Sequence, residues 1–226
     1  TSSALDEAAF LLLSTLHLPP DQLDPWLDAR LTMPERKAVA DIIEKRVVSR
    51  KPASYLTRSA WIGLHKFYVD ERVIVPRSYI GELLNEGLVG VIEEPTAISS
   101  VLDLCTGSGC LGIIAALQFP DATVDVADIS RDALAVAQRN IGDYGLTKRI
   151  TAHEGDLFGA VGDAAYDLIL CNPPYVTEAA VEAFPAEYRA EPRLAHDGGK
   201  DGMTLVRRLL AEAGRHLTAN GTLLVE

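Results

Sequence analysis

Apolar and polar positions alternate with two different periods along this chain, and the change between them divides it. In the first fifty residues the period is helical. Ala8, Leu11, Leu12 and Thr15 share one helical face, and Pro19-Pro20 closes that helix. Thr32-Met33-Pro34-Glu35 has the spacing of a capping box with proline in the first turn. It predicts a second helix with Val39, Ile42, Ile43 and Val47 inward, lasting until Lys51-Pro52. Residues 61–69 and 72–75 are rich in aromatic and β-branched side chains and flank Asp70-Glu71, which predicts a β-hairpin.

From about residue 78 the pattern becomes strand, helix, strand. Helices are expected over 80–92, 109–119, 131–144 and 202–217. Strands are expected over 100–104, 123–127, 150–153, 166–171 and 222–225. Such alternation implies an α/β fold with a parallel, doubly wound sheet, whose ligands bind beyond the carboxyl ends of its strands. Three parts follow: a helical domain over residues 1–54, a hairpin linker over 55–77, and the doubly wound domain over 78–226. The chain lacks an initiating methionine and stops at Glu226 inside a strand-like run, so it is expected to be a fragment truncated at its C-terminus.

The 226 residues, 48% of them hydrophobic, suffice for a real core. Lys and Arg number 21 against 32 Asp and Glu, a net charge of −11 that argues against direct nucleic-acid binding. Leu11-Leu12-Leu13 is too short to span a bilayer, and no basic stretch precedes it, so neither a membrane helix nor a signal peptide is expected. Three cysteines, an odd number, suit a reducing compartment, and the cytoplasm is the expected location.

Four strand ends carry unusual residues. Asp103-Leu104-Cys105-Thr106-Gly107-Ser108-Gly109-Cys110-Leu111-Gly112 contains the dinucleotide fingerprint, Gly107-x-Gly109-x-x-Gly112. Asp128 follows 21 residues after Gly107, where a carboxylate can accept both hydroxyls of a ribose. Together they predict an adenosine moiety, in either a nicotinamide dinucleotide or S-adenosylmethionine. Asp103, ending the strand before the glycines, would repel a pyrophosphate and attract a cationic amino-acid tail, which favours S-adenosylmethionine. The fourth strand end is Asn172-Pro173-Pro174-Tyr175, after the apolar run 166–171. The prolines fix the turn and remove N–H donors, Asn172 adds a carboxamide, and Tyr175 adds a flat wall. That set suits a planar –NH2 group, either a carboxamide or a nucleobase amine.

On these residues the chain resembles the class I methyltransferases with an Asn-Pro-Pro-Tyr tetrad, and within them the HemK-like protein glutamine methyltransferases. The resemblance runs from Lys51 onward through Phe67-Tyr68-Val69-Asp70-Glu71-Arg72-Val73, Val75-Pro76-Arg77-Ser78, the glycine loop, Asp128-Ile129-Ser130, Asp156-Leu157-Phe158, the tetrad, Glu187-Tyr188, Glu191-Pro192 and Asp201-Gly202. The segments around Phe67 and Val75 are similar to the branch acting on ribosomal protein number three of the large subunit. The release-factor branch carries Pro-Arg-Pro-Asp-Thr-Glu where this chain has Pro76-Arg77-Ser78-Tyr79-Ile80-Gly81, and Tyr79 departs from a proline common in the first branch.

The resemblance implies a Rossmann-like methyltransferase domain and S-adenosylmethionine as cofactor. Cys105, Thr106, Gly107, Ser108 and Gly109 would run along its methionine and ribose, Cys105 standing where relatives often have glycine. Asp128, beside Ile129, would hold the ribose hydroxyls, while Asp156 and Leu157 would border the adenine. Asn172, also near the cofactor, and the Pro173 carbonyl would accept the two N–H groups of a glutamine amide, with Pro174 holding the turn and Tyr175 packing on the amide plane. The implied partner is a large-subunit ribosomal protein, or alternatively a release factor. Methylation of the exocyclic amine of adenine uses the same tetrad, and a nicotinamide oxidoreductase would leave that tetrad without a purpose.

The remaining tempting residues read as structural. Cys105, Cys110 and Cys171 lack zinc-like spacing, and the histidines at 17, 65, 153, 196 and 216 show no ligand pattern, so no metal is expected. Arg77 is either a surface charge or a means of placing the N-terminal helices over the site.

Overall fold

A computed structural model describes residues 3–20 and 22–226. The chain opens with helix α1 (Ala4–Thr15), capped by the Ser3 hydroxyl, and helix α2 (Met33–Ser49), which begins with the expected capping box between Thr32 and Glu35. Two details differ from the pattern. In α1 the buried residues are Leu11 and Leu13, and the helix stops before the prolines because His17 turns left-handed (φ 56°). In α2 only Val39 is buried, Ile42 is half-buried, and Ile43 and Val47 are 39% and 66% exposed. The neighbours of α2 are α1 and the five-residue helix α3 (Ala53–Thr57), which are too short to cover a wide stripe.

The hairpin lies earlier than expected. Strands β1 (Ala60–Ile62) and β2 (His65–Phe67) pair around a two-residue loop, Gly63-Leu64. Gly63 has φ 56°, as a tight hairpin turn with glycine first requires. Asp70-Glu71 instead forms a turn closed by side chains. The Asp70 carboxylate accepts the Arg72 backbone N–H at 3.0 Å and its guanidinium at 2.6 Å, and these bonds hold Asp70 far below the usual carboxylate range.

Helix α4 (Tyr79–Asn85) is shorter than expected, since Gly87 and Leu88 both turn left-handed and end the run. Then follow β3 (Ser100–Leu104), α5 (Cys110–Gln118), β4 (Thr123–Asp128), α6 (Arg131–Asp143), β5 (Ile150–Glu154), β6 (Tyr166–Cys171), the short helix α7 (Glu178–Glu182), α8 (Thr204–Ala213) and β7 (Leu217–Val225). The last helix is thus shorter and the last strand longer than expected, because Leu217 already pairs with Tyr166 across an irregularity in the ladder.

The five long strands form one parallel sheet in the order β5-β4-β3-β6-β7. Alternate residues divide its faces. Val101, Val124, Val126, Leu168 and Leu170 pack under α4, α5 and α6, while Leu102, Leu104, Ala127, Ile169 and Cys171 pack against α8 and Phe158. Strand order reverses between β3 and β6, so a crevice opens beyond their carboxyl ends, where the glycine loop and the tetrad both begin.

Candidate functional site

A cavity of about 190 Å³ occupies that crevice, lined among others by Cys105, Gly107, Asp128, Leu157, Asn172 and Pro174. Ile129 and Asp156 also line it. The glycine loop, the Asp128 turn, the Asp156 turn and the tetrad therefore converge on one space. Asp103, Thr106, Ser108 and Gly109 support the loop from beneath rather than lining the cavity, Pro173 is buried, and Tyr175 is 55% exposed.

The position of Asp103 follows from strand alternation. It shares a face with Val101, the α5 side, so its carboxylate enters the protein and is 1% exposed. Oδ2 accepts the Thr106 hydroxyl at 2.5 Å and the Gly112 N–H at 2.9 Å, tying the end of β3 to the first turn of α5. Oδ1 has no partner. Burial pushes the Asp103 pKa up to about 7, against the two hydrogen bonds. The carboxylate expected to meet a cationic tail directly thus lies under the loop that such a tail would touch.

Each glycine of the loop has its own reason: Gly107 takes the left-handed φ of 55°. Gly109 caps α5 at φ 80°, where a Cβ would press on the Ala137 backbone at 3.2 Å. Gly112 packs α5 onto the sheet so closely that a Cβ would lie 2.5 Å from Val126 Cγ1. Cys105 also has φ 56°, in the region glycine enters freely, and Leu157 has φ 47°. Both of these side-chain-bearing exceptions line the cavity, which is where backbone strain collects around ligands.

The Asp128 carboxylate accepts N–H groups of Gly107 at 2.9 Å and Ser130 at 2.9 Å. Burial shifts its pKa upward. Two oxygens with about four acceptor positions leave room for a ribose diol as well. The Asp156 carboxylate pairs with the Arg208 guanidinium of α8 at 2.8 Å, and both border the cavity. Arg72, held by Asp70, is another cation on its wall.

Several supporting residues carried no signal in sequence. Buried Asn140 of α6 donates from Nδ2 to the carbonyls of Ser108 at 2.8 Å and Tyr68 at 3.0 Å, and accepts the Tyr68 N–H at 2.7 Å. One amide thereby joins the glycine loop to the exit of the hairpin. Gly198 packs against the tetrad, where a Cβ would meet the Pro174 carbonyl and Tyr175 Cα at 2.8 Å. The Val176 N–H donates to His196 at 2.9 Å and the Gly198 N–H to Val176 at 2.8 Å, which ties the chain after the tetrad to the segment around residue 197. The glycine loop, the aspartates and the tetrad were visible beforehand, whereas these supporting contacts join distant segments.

The three cysteines are free thiols, Cys110 and Cys171 buried and Cys105 half-buried. Burial pushes the Cys110 thiol up to about 12, and Cys171 is raised by the adjacent Cys105 side chain and by burial. Among the described residues no cluster of His, Cys, Asp and Glu could hold a metal ion, and no helix is long and apolar enough to cross a membrane.

Residues 86–187 match the family model of the methyltransferase small domain. The ribosomal protein uL3 glutamine methyltransferase of Bordetella pertussis is 56% identical over 226 residues, covering 100% of this chain and 76% of that protein. Its namesake from Burkholderia pseudomallei is 54% identical, covering 100% of this chain and 76% of that protein. The one from Bradyrhizobium diazoefficiens is 54% identical and is covered over 73% of its length by all of this chain. The chain belongs to the ribosomal protein uL3 glutamine methyltransferase family. Membership agrees with the parallel sheet, which is that of the class I methyltransferase fold. In this family setting the parallel sheet brings the glycine loop on β3 and the tetrad on β6 to adjacent strand ends.

Proposed function

We propose that this protein methylates the side-chain amide nitrogen of a glutamine in ribosomal protein uL3, with S-adenosylmethionine as donor. The observation that carries the reading is the meeting of Asn172 and Pro174 with Gly107 and Asp128 on one cavity, where the tetrad would hold an amide and the loop and Asp128 would hold the cofactor. The sulfonium supplies an electrophilic methyl group. Asp128 takes the ribose hydroxyls, Leu157 and Ile129 offer apolar surface to the adenine, and Asp156 borders it. The Cys105 to Gly109 loop runs along the methionine portion, with Asp103 keeping the loop in place.

An amide nitrogen is a poor nucleophile because its lone pair is delocalised, and no protein base can remove its proton in advance. Asn172 Oδ1 and the Pro173 carbonyl accept its two N–H groups, and those bonds strengthen as the nitrogen becomes cationic. Tyr175 packs on the amide plane, and the proton leaves after methyl transfer. Residues 1–54 with the linker 55–77 serve to recognise the protein substrate, while 78–226 carry out the transfer. The names of the relatives favour uL3 over a release factor, and the acidic surplus favours a basic protein over nucleic acid. The cytoplasm, where such a substrate is made, is the location that fits.

Labelled S-adenosylmethionine incubated with purified uL3, release factor and RNA in parallel tests the reading. Label is expected in uL3 alone and lost when the target glutamine is replaced. Asn172→Ala is expected to lower kcat by about 100-fold or more while changing cofactor Kd by less than about threefold. An unchanged kcat would remove Asn172 from the chemistry, and label only in RNA would overturn the assignment.

A further inference from the structure

Glu191 lies in the loop after the tetrad, and its side chain is 1% exposed. It is a buried carboxylate for which the chemistry above has no use. Oε1 accepts the Val75 backbone N–H at 3.1 Å and the Arg77 guanidinium at 2.7 Å. Arg77 Nε turns back to the Val75 carbonyl at 3.3 Å, and the guanidinium lies 5.4 Å from the Tyr188 ring centre. Oε2 approaches His196 Nε2 at 2.9 Å without an aligned hydrogen bond, and both atoms are shielded from water. Burying a carboxylate is costly unless it is paired, so these contacts fix where residues 75–77 can sit.

The next residues are held from another direction. The Glu226 carboxylate accepts the Ser78 hydroxyl and, at 3.1 Å, the Tyr79 N–H, while the Glu226 N–H donates to the Cys171 carbonyl at 3.1 Å. Between the two clamps lies the Arg77 carbonyl, which accepts Asn172 Nδ2 at 3.3 Å. A carbonyl oxygen can only accept. The side of the Asn172 amide facing Arg77 must therefore be its NH2, and Oδ1 must face the other way.

We infer that Glu191 is a positioning residue for Asn172: through Arg77 it keeps the 75–77 backbone where only the Asn172 oxygen can be presented to the substrate. The inference rests on the reading that Asn172 accepts an N–H of a glutamine amide. Without the clamp, the Asn172 amide can turn over and set its NH2 against the substrate NH2, donor against donor. Asn172 then ceases to support the transition state although its side chain is still present. Arg77, whose role was open in the sequence, acts through both its guanidinium and its carbonyl.

The test uses Glu191→Gln, which keeps shape and removes charge, and Arg77→Met, which removes the guanidinium and leaves the carbonyl. Each is compared with wild type for kcat and KM on purified uL3 and for S-adenosylmethionine Kd by calorimetry. Each is expected to lower kcat about tenfold or more, with Kd within about twofold, and Arg77→Lys is expected to recover part of the loss. Combined with Asn172→Ala, either change is expected to add less than about twofold to the loss from Asn172→Ala alone, because both act on the same interaction. Unchanged kcat in the single variants, or losses that multiply in the double variants, would overturn the inference. Should Glu191→Gln fail to fold, Arg77→Met decides by the same criteria. Wild-type protein that does not label uL3 would sink the proposed function and this inference together, whereas active wild type with unaffected variants would sink this inference alone.

Discussion

One oxygen of the Asp103 carboxyl group, Oδ1, is buried without a partner, and burial pushes the group's pKa up to about 7 from an ordinary value of 3.8. The sign of the consequence is fixed by linkage. Between about pH 4 and pH 7 the folded protein holds a proton that the unfolded chain has released, so stability falls as pH rises through that window. The loss is on the order of a few kcal/mol at most. Asp103→Asn cannot ionise and still offers an acceptor to the Gly112 N–H. The stability of Asp103→Asn relative to wild type is therefore expected to improve from pH 5 to pH 8, as read from urea midpoints at each pH. A difference that stays constant across that range would show that Asp103 keeps an ordinary pKa. At this scale the sequence exposed only groups whose meaning lies in short spacings. Gly107 and Asp128 were legible because 21 residues bring the end of one strand to its neighbour. Asn140 was not, since its amide gains purpose only beside Tyr68, 72 residues away.

Helix α5 owes its seat to a missing side chain. Gly112 lies against β4, and a Cβ there would come within 2.5 Å of Val126 Cγ1 and 3.3 Å of Asp103 Oδ2. Gly112→Ala would push the helix off the sheet and disturb the N–H bond to Asp103. The expected cost is roughly 1–3 kcal/mol, the range for overpacking a filled core, visible as a lower urea midpoint with unchanged slope. Weaker binding of S-adenosylmethionine should accompany it, since the same helix start carries the loop. A midpoint equal to wild type would mean that the layer has slack. Elements with one clear period were read well from sequence: β3 and β6 have the expected bounds, and α5 and α6 differ by a residue at their ends. The errors fell where local signals competed. Gly63-Leu64 turned the hairpin inside a run of strand-forming residues, and left-handed Gly87 and Leu88 ended α4 inside an apolar stretch.

Across the whole molecule, the N-terminal helices are joined to the tetrad loop and hairpin by ion pairs. Arg46, paired with Glu7 of α1 at 3.0 Å, reaches Glu187 at 3.9 Å, Arg50 reaches Glu187 at 2.5 Å, and Lys51 and Arg58 both reach Glu71 at 2.8 Å. Bonds from Lys51 and Arg58 hold the Glu71 carboxyl down to about 2. Below these helices a groove of about 900 Å³ runs past Phe10, Trp61, Pro76 and Tyr188 to Arg77 and Glu191. With a net charge of −11, encounter with a positively charged partner should be steered by long-range attraction. The KM for uL3 is expected to rise several-fold between about 50 and 300 mM salt, with kcat and cofactor Kd little changed, because salt screens exposed charges beyond roughly 10 Å. A KM indifferent to salt would show that the acidic surplus plays no part in recognition.

By itself the sequence determined the alternating architecture, the glycine loop, the place of Asp128 at the neighbouring strand end and the tetrad. Each depends on periodicity or on chain geometry within a few residues, and those are written locally. Tertiary structure alone decided that Asp103 lies under the loop, that Asn140 anchors it, and that Asn172 turns its nitrogen toward Arg77. It also brought Glu191 to Arg77 across 114 residues. Packing chooses such partners by burying polar groups that must then be satisfied, and no local pattern records which distant group will do so.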